Sequence, residues 1–120
     1  MDSKRYEQIF KTIAAGVLVQ KSSGEIVFAN EVAQEILTFP MDELANKTSE
    51  DPVWHMVLED GSFVPGEDHP SMLTLRTATP LRNVVRGLFA NDPNKVRWLS
   101  INTEPVFDDD NTEPIEVVVT

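Results

Sequence analysis

Gly24-Glu25-Ile26-Val27-Phe28-Ala29-Asn30 is the stretch on which the fold turns, because it holds a turn residue, a short apolar run and a helix-capping side chain in succession. Gly24 closes Ser22-Ser23-Gly24, which separates Ile26-Val27-Phe28 from the β-branched run Val17-Leu18-Val19. Two such runs around a turn of this composition predict a hairpin of short strands. Asn30 predicts the start of a helix, since its side-chain oxygen can accept from a first-turn amide that has no intrahelical partner. In that helix Val32 with Ile36, and Ala33 with Leu37, fall at i,i+4 spacing. Pro40 ends it and opens a shorter helical piece over about 41–45.

Working towards the N-terminus, Tyr6, Ile9, Phe10 and Ile13 recur at helical spacing and predict a helix over about 3–14, capped near Ser3, with one apolar stripe that must be covered. Towards the C-terminus, residues 46–66 lose any period and read as a loop, with Val53-Trp54-His55-Met56-Val57 as a brief extended stretch. His69-Pro70 starts another helix carrying Met72, Leu73, Leu75 and Arg76, and Thr79-Pro80 stops it. Two long strands, over 81–90 and 95–107, flank the turn Asn91-Asp92-Pro93-Asn94. A last turn over 108–114 leads into Ile115-Glu116-Val117-Val118-Val119. The order of helix, two strands, short helices and loops, then three strands suits an α+β domain rather than alternating βαβ units. A chain of 120 residues predicts one domain, with its core over about 16–120. It stops inside an apolar strand, which predicts a last strand clipped from a longer protein.

Composition removes several function classes. The hydrophobic fraction of 41% and charged fraction of 25% are ordinary for a soluble domain, and no apolar run approaches the roughly 20 residues that span a bilayer. The opening residues carry no export signal, so a cytoplasmic location is expected. No cysteine is present, which excludes a disulfide framework, a thiolate metal site and a cysteinyl cofactor adduct. The net charge of −10, from 20 acidic and 10 basic side chains, repels a phosphate backbone and argues against nucleic acid as a partner. The acids are scattered over turns and helix faces, so they read as solubilising rather than as a substrate site.

The element order resembles the PAS fold, a five-stranded antiparallel sheet with short helices against one face, and the resemblance spans nearly the whole chain. It is carried by Gly16-Val17-Leu18-Val19, Gly24 to Asn30, Trp54-His55-Met56-Val57 with Glu59-Asp60-Gly61, Gly66-Glu67-Asp68-His69-Pro70, and Arg97-Trp98-Leu99-Ser100-Ile101-Asn102 ahead of Pro105. The sequence departs from the family pattern at Ala78, where relatives often carry a glycine able to adopt a left-handed conformation, so that turn is expected to be built differently. The resemblance implies a sensory module in signal transduction. It would bind a small ligand between helices and sheet, or dimerise, to control an attached output domain such as a diguanylate cyclase, histidine kinase or transcription activator.

The resemblance also directs attention to particular side chains. Along 97–102, Leu99 and Ile101 share one face and Trp98, Ser100 and Asn102 the other, and the family's geometry puts the first pair inward. With Ile36, Trp54, Met56, Met72 and Leu75 they form an expected apolar pocket. An outward Trp98 would be covered by the stripe of Tyr6, Ile9, Phe10 and Ile13, either within one chain or across a homodimer. Arg86 depends on register. If Val84, Arg86 and Leu88 face inward with Leu99, a guanidinium enters an apolar cavity and an anionic ligand is expected; if Val85, Gly87 and Phe89 do, Arg86 is solvated. No cofactor is assigned: the absent cysteine excludes a flavin adduct, Leu99 stands where a flavin-holding polar group would be expected, and a haem would need His55 or His69, of which His69-Pro70 reads better as a helix start. Two rivals remain: a filled-core dimerisation module, and a small enzyme using His55 or His69 with Glu59, Asp60, Glu67 and Asp68. The spacing of those acids and histidines matches no metal-ligand signature, and no metal site or catalytic residue is assigned.

Overall fold

The computed structural model describes residues 15–90, 92–110 and 112–120. The helix expected over about 3–14, with Tyr6, Ile9, Phe10 and Ile13, lies outside the described residues.

The hairpin forms as its sequence predicts. Strand β1 (Leu18–Lys21) pairs antiparallel with β2 (Ile26–Ala29). Gly24 closes the turn at φ 90°, donating its N–H to the Lys21 carbonyl at 2.8 Å, a conformation in which a side chain would be strained. Asn30 caps helix α1 (Glu31–Leu37), and its Oδ1 accepts from the N–H of Ala33 at 2.9 Å. That side chain does more than cap: Oδ1 also accepts from the N–H of Val17 at 2.9 Å, and Nδ2 donates to the Ala15 carbonyl at 3.0 Å. Helix α2 (Met41–Leu44) follows Pro40 and inserts Leu44, fully buried, which contributes about 2 kcal/mol of burial free energy.

In the loop region Pro52–Trp54 forms a 3₁₀ turn capped by Asp51, and only Met56–Val57 of the expected extended stretch is a strand, β3. Strand β4 (Phe63–Val64) pairs with it, and a second 3₁₀ turn, Gly66–Asp68, leads into helix α3 (Pro70–Thr77). Proline stands in the first turn of α3, where its missing N–H has no intrahelical use. Ala78 ends that helix in the left-handed conformation, φ 56° and ψ 27°. This corrects the expectation of a differently built turn: the alanine adopts the glycine geometry, and its N–H donates to the Thr74 carbonyl at 2.8 Å.

The remaining strands are β5 (Leu81–Leu88), β6 (Arg97–Val106) and β7 (Glu116–Val119). All the strands form one antiparallel sheet in the order β2-β1-β7-β6-β5-β3-β4. Among the described residues it has seven strands rather than the five expected, because β3 and β4 add a hairpin of two-residue strands beside β5; strands that short carry no alternation to read. The sheet's inner face holds the core, built on Ile26, Trp54, Met56, Val64, Leu88 and Ile101 with Ala33 of α1 and Leu44 of α2. On the outer face Trp98 is 50% exposed, and Gly87 opposite it leaves room for the indole: a Cβ there would meet Trp98 at 3.0 Å and Val57 at 2.9 Å.

Candidate functional site

Between the inner face of the sheet and helices α1 and α3 lies a cavity of about 320 Å³, the volume of about ten waters at about 30 Å³ each. Its wall is mostly apolar. Leu99 and Ile101 of β6, which share one strand face, line it together with Ile36 of α1, Trp54 and Met56. Trp54 is held by its indole N–H, which donates to the Thr48 carbonyl at 2.9 Å, and by an edge-to-face contact with Phe39 at 5.8 Å. Five of the eight expected pocket residues are thus brought together. Met72, Leu75 and Arg86 are not in the wall. Met72 turns towards the β1–β2 hairpin, with Sδ 3.4 Å from where a Cβ on Gly24 would stand. Leu75, half-buried, is one helical turn beyond Ser71, which does line the cavity.

Sequence reasoning missed the polar side of this cavity. Gln20, Ser49 and Ser71 line it, each at most 7% exposed. Gln20 Nε2 donates to the Gly24 carbonyl at 2.8 Å and to Ser49 Oγ at 2.9 Å, and Ser49 Oγ is 3.5 Å from Ser71 Oγ. The signal available for Gln20 was its place two residues from Leu18 on the same strand face. Ser49 gave none, because its loop is packed against the chain at Gly66. The Gly66 Cα packs so tightly against the chain at Ser49 and Glu50 that an added Cβ would fall 2.4 Å from the Ser49 carbonyl oxygen.

His69, at the joint between the second 3₁₀ turn and α3, completes this side of the wall. Its backbone is committed on both sides: the N–H donates to Gly66, and the carbonyl accepts from Met72 and Leu73. The residue is 6% exposed, and burial lowers the imidazole pKa from 6.5 to about 4; a hydrogen bond to the Val64 backbone opposes this, the Arg86 charge adds to it, and Asp68 opposes it least. His69 is therefore neutral at pH 7. His55 is elsewhere, exposed and lying between the rings of Phe63 and Phe89, each 5.3 Å away.

The acids singled out beside the histidines do not gather with them. Asp60 accepts from Ser62 in its own turn, which lowers its pKa, and Asp68 pairs with Arg76 at 3.3 Å on the surface. Among the described residues no cluster of three metal-ligating side chains occurs.

Arg86 is settled in register. It pairs with Leu99, and its strand neighbour two residues on, Leu88, is buried in the core, while Val85 is 36% exposed. Arg86 therefore shares the inward face with Leu88 and Leu99, but it does not line the cavity. Its Nη1 donates to the Val85 carbonyl at 2.8 Å, and Nε is buried without a hydrogen-bond partner. No helix among the described residues is long and apolar enough to cross a membrane.

No curated protein matches the chain in sequence. Solved structures similar to it in fold include several PAS domains. The PAS domain of nitrogen regulation protein NR(II) from Vibrio parahaemolyticus superposes with a TM-score of 0.68 at 10% identity, covering 95% of this chain and 93% of that one. A PAS domain from Colwellia psychrerythraea gives 0.67 at 10% identity, covering 97% and 92%. A domain of the sensory box sensor histidine kinase/response regulator from Geobacter sulfurreducens gives 0.66 at 17% identity, covering 98% and 90%. The sequence profile of the PAS fold matches residues 4–119, almost the whole chain, so the chain belongs to the PAS family of sensory, non-catalytic modules.

Proposed function

We propose that this chain is the ligand-binding input module of a multidomain signalling protein, its signal a small, mostly apolar molecule held between sheet and helices. The observation that carries the reading is the cavity itself: about 320 Å³ of space walled by Ile36, Leu99 and Ile101 and bordered by one polar ridge, the combination in which a few polar groups orient an otherwise apolar ligand. Membership of a family of sensory modules, and likeness to a domain described as part of a sensor histidine kinase, support transmission to an attached output domain. Ala15 and Thr120 also border the cavity, which brings an occupant close to the chain on both sides of the domain. An occupant can shift a signalling equilibrium only through its different affinities for the two states.

The test is native mass spectrometry of gently purified protein with an absorption spectrum, followed by a thermal-shift screen of small apolar compounds. A ligand at a hundred times its Kd raises Tm by about 10 °C. The same compound moves Ile101→Phe less, because the larger ring intrudes on the space beside Leu99 and Ile36. A protein that carries no small molecule and responds to no compound more than Ile101→Phe does would overturn the reading.

A second reading, a dimerisation module, is supported by the exposed Trp98 and Val85 on the outer face. Light scattering of wild type and Trp98→Ser decides it, a homodimer that dissociates in the variant being its expected result.

A further inference from the structure

Arg86 is the anomaly of the inner face. Acids outnumber bases two to one in this chain, and Arg76 and Arg82 each have a carboxylate partner, Asp68 and Glu104. Arg86, half-buried among apolar side chains, has none among the described residues. Its Nε is the one buried side-chain polar atom of the described residues left without a hydrogen bond. A guanidinium in such a place weakens the fold unless something satisfies it, and a leucine or methionine would serve the core better. Its neighbours say where a partner would be. Leu99 across the strands and Leu88 along its own strand are both in the cavity wall, so Arg86 shares the face of that wall, with its Nη1 end exposed. The neutral His69 beside it adds no second positive charge, and Nη1, resting on the carbonyl of its own neighbour Val85, is free to exchange that bond for a stronger one.

Resting on the ligand-binding reading, we infer that the ligand of this cavity carries a carboxylate and that Arg86 is its anchor, its guanidinium turning from the Val85 carbonyl to the acid while the apolar body lies against Ile36, Leu99 and Ile101. One cation matches one negative charge, and the planar fork of arginine matches the two oxygens of a carboxylate. Arg97, half-buried on the same face opposite Leu88, has no buried polar atom left unpaired, so it is Arg86 that asks for a partner there.

The experiment is calorimetric titration of the purified protein with matched probes: hexanoate and phenylacetate, their amides, and hexyl phosphate. Wild type binds each acid at least about tenfold more tightly than its amide, the range for a hydrogen bond to a charged group. Arg86→Met keeps the amide affinity and loses the preference, and Arg86→Lys, which keeps the charge, retains part of it and guards against a variant that merely misfolds. Acid and amide binding equally to wild type would overturn the anchor while leaving the ligand site intact. Tighter binding of hexyl phosphate than hexanoate would overturn the carboxylate, and failure of every probe would count against both readings.

Discussion

Removing the His69 imidazole should take away a defined part of the acid sensitivity of this domain. In the unfolded chain the ring protonates near its ordinary pKa of 6.5, and in the folded one only near 4. Between these values the unfolded state binds the extra proton, so stability falls as pH falls, and the loss is complete once pH is below both. The gap is worth about 3 kcal/mol at about 1.36 kcal/mol per pKa unit, and about 2 kcal/mol of it falls between pH 7 and pH 5. With the residue 6% exposed, there is little solvent to screen its ring. His69→Gln keeps a neutral donor for the Val64 backbone and leaves Arg86 and Asp68, the charges that act on the ring, in place. Urea unfolding at pH 7, 6 and 5, followed by the fluorescence of buried Trp54, gives both stability curves. Wild type should lose about 2 kcal/mol more than His69→Gln on going from pH 7 to pH 5. Curves that stay parallel to within about 0.5 kcal/mol would refute the buried neutral imidazole, since other titrating groups are common to both proteins.

Gly66→Ala drives a methyl into the Ser49 carbonyl and the Glu50 backbone, neither of which can rotate away, so a destabilisation of about 3 kcal/mol or more is expected, read as a lower urea midpoint. Ala78→Gly does the opposite. It relieves a left-handed alanine, a conformation costing about 1–2 kcal/mol, against the added flexibility of unfolded glycine, and Tm should rise by a few degrees; an unchanged or lowered Tm would mean the helix end carries no strain.

Much of this fold can be read from residues whose effect is local. Gly24, Asn30 and Pro70 set a turn and two helix starts through their own backbone chemistry, and parity puts Leu99 and Ile101 on one face, which the family resemblance turns inward. What escaped depends on distant partners. Phe63–Val64 becomes a strand only because Met56–Val57, itself paired with β5, offers an edge, and Ser49 reaches the cavity only because Gly66 lets two backbones touch. Ala78 shows the limit from the other side: an intrinsic preference against left-handed geometry yields where the α3–β5 connection demands it. Arg86 turned on a register of one residue, which pairing with Leu99 fixes.

Asn30 serves as a mechanical joint as well as a cap. One amide group is bonded at once to Ala15, to Val17 at the threshold of β1, and to the first turn of α1, the helix whose Ile36 and Leu37 form one side of the cavity. Helix α1 therefore cannot move outward against the incoming chain without breaking these bonds, and a displacement of the cavity wall that preserves them carries residue 15 along. The stiffness of this one side chain sets how faithfully a change inside the domain is felt at the point where the chain enters it.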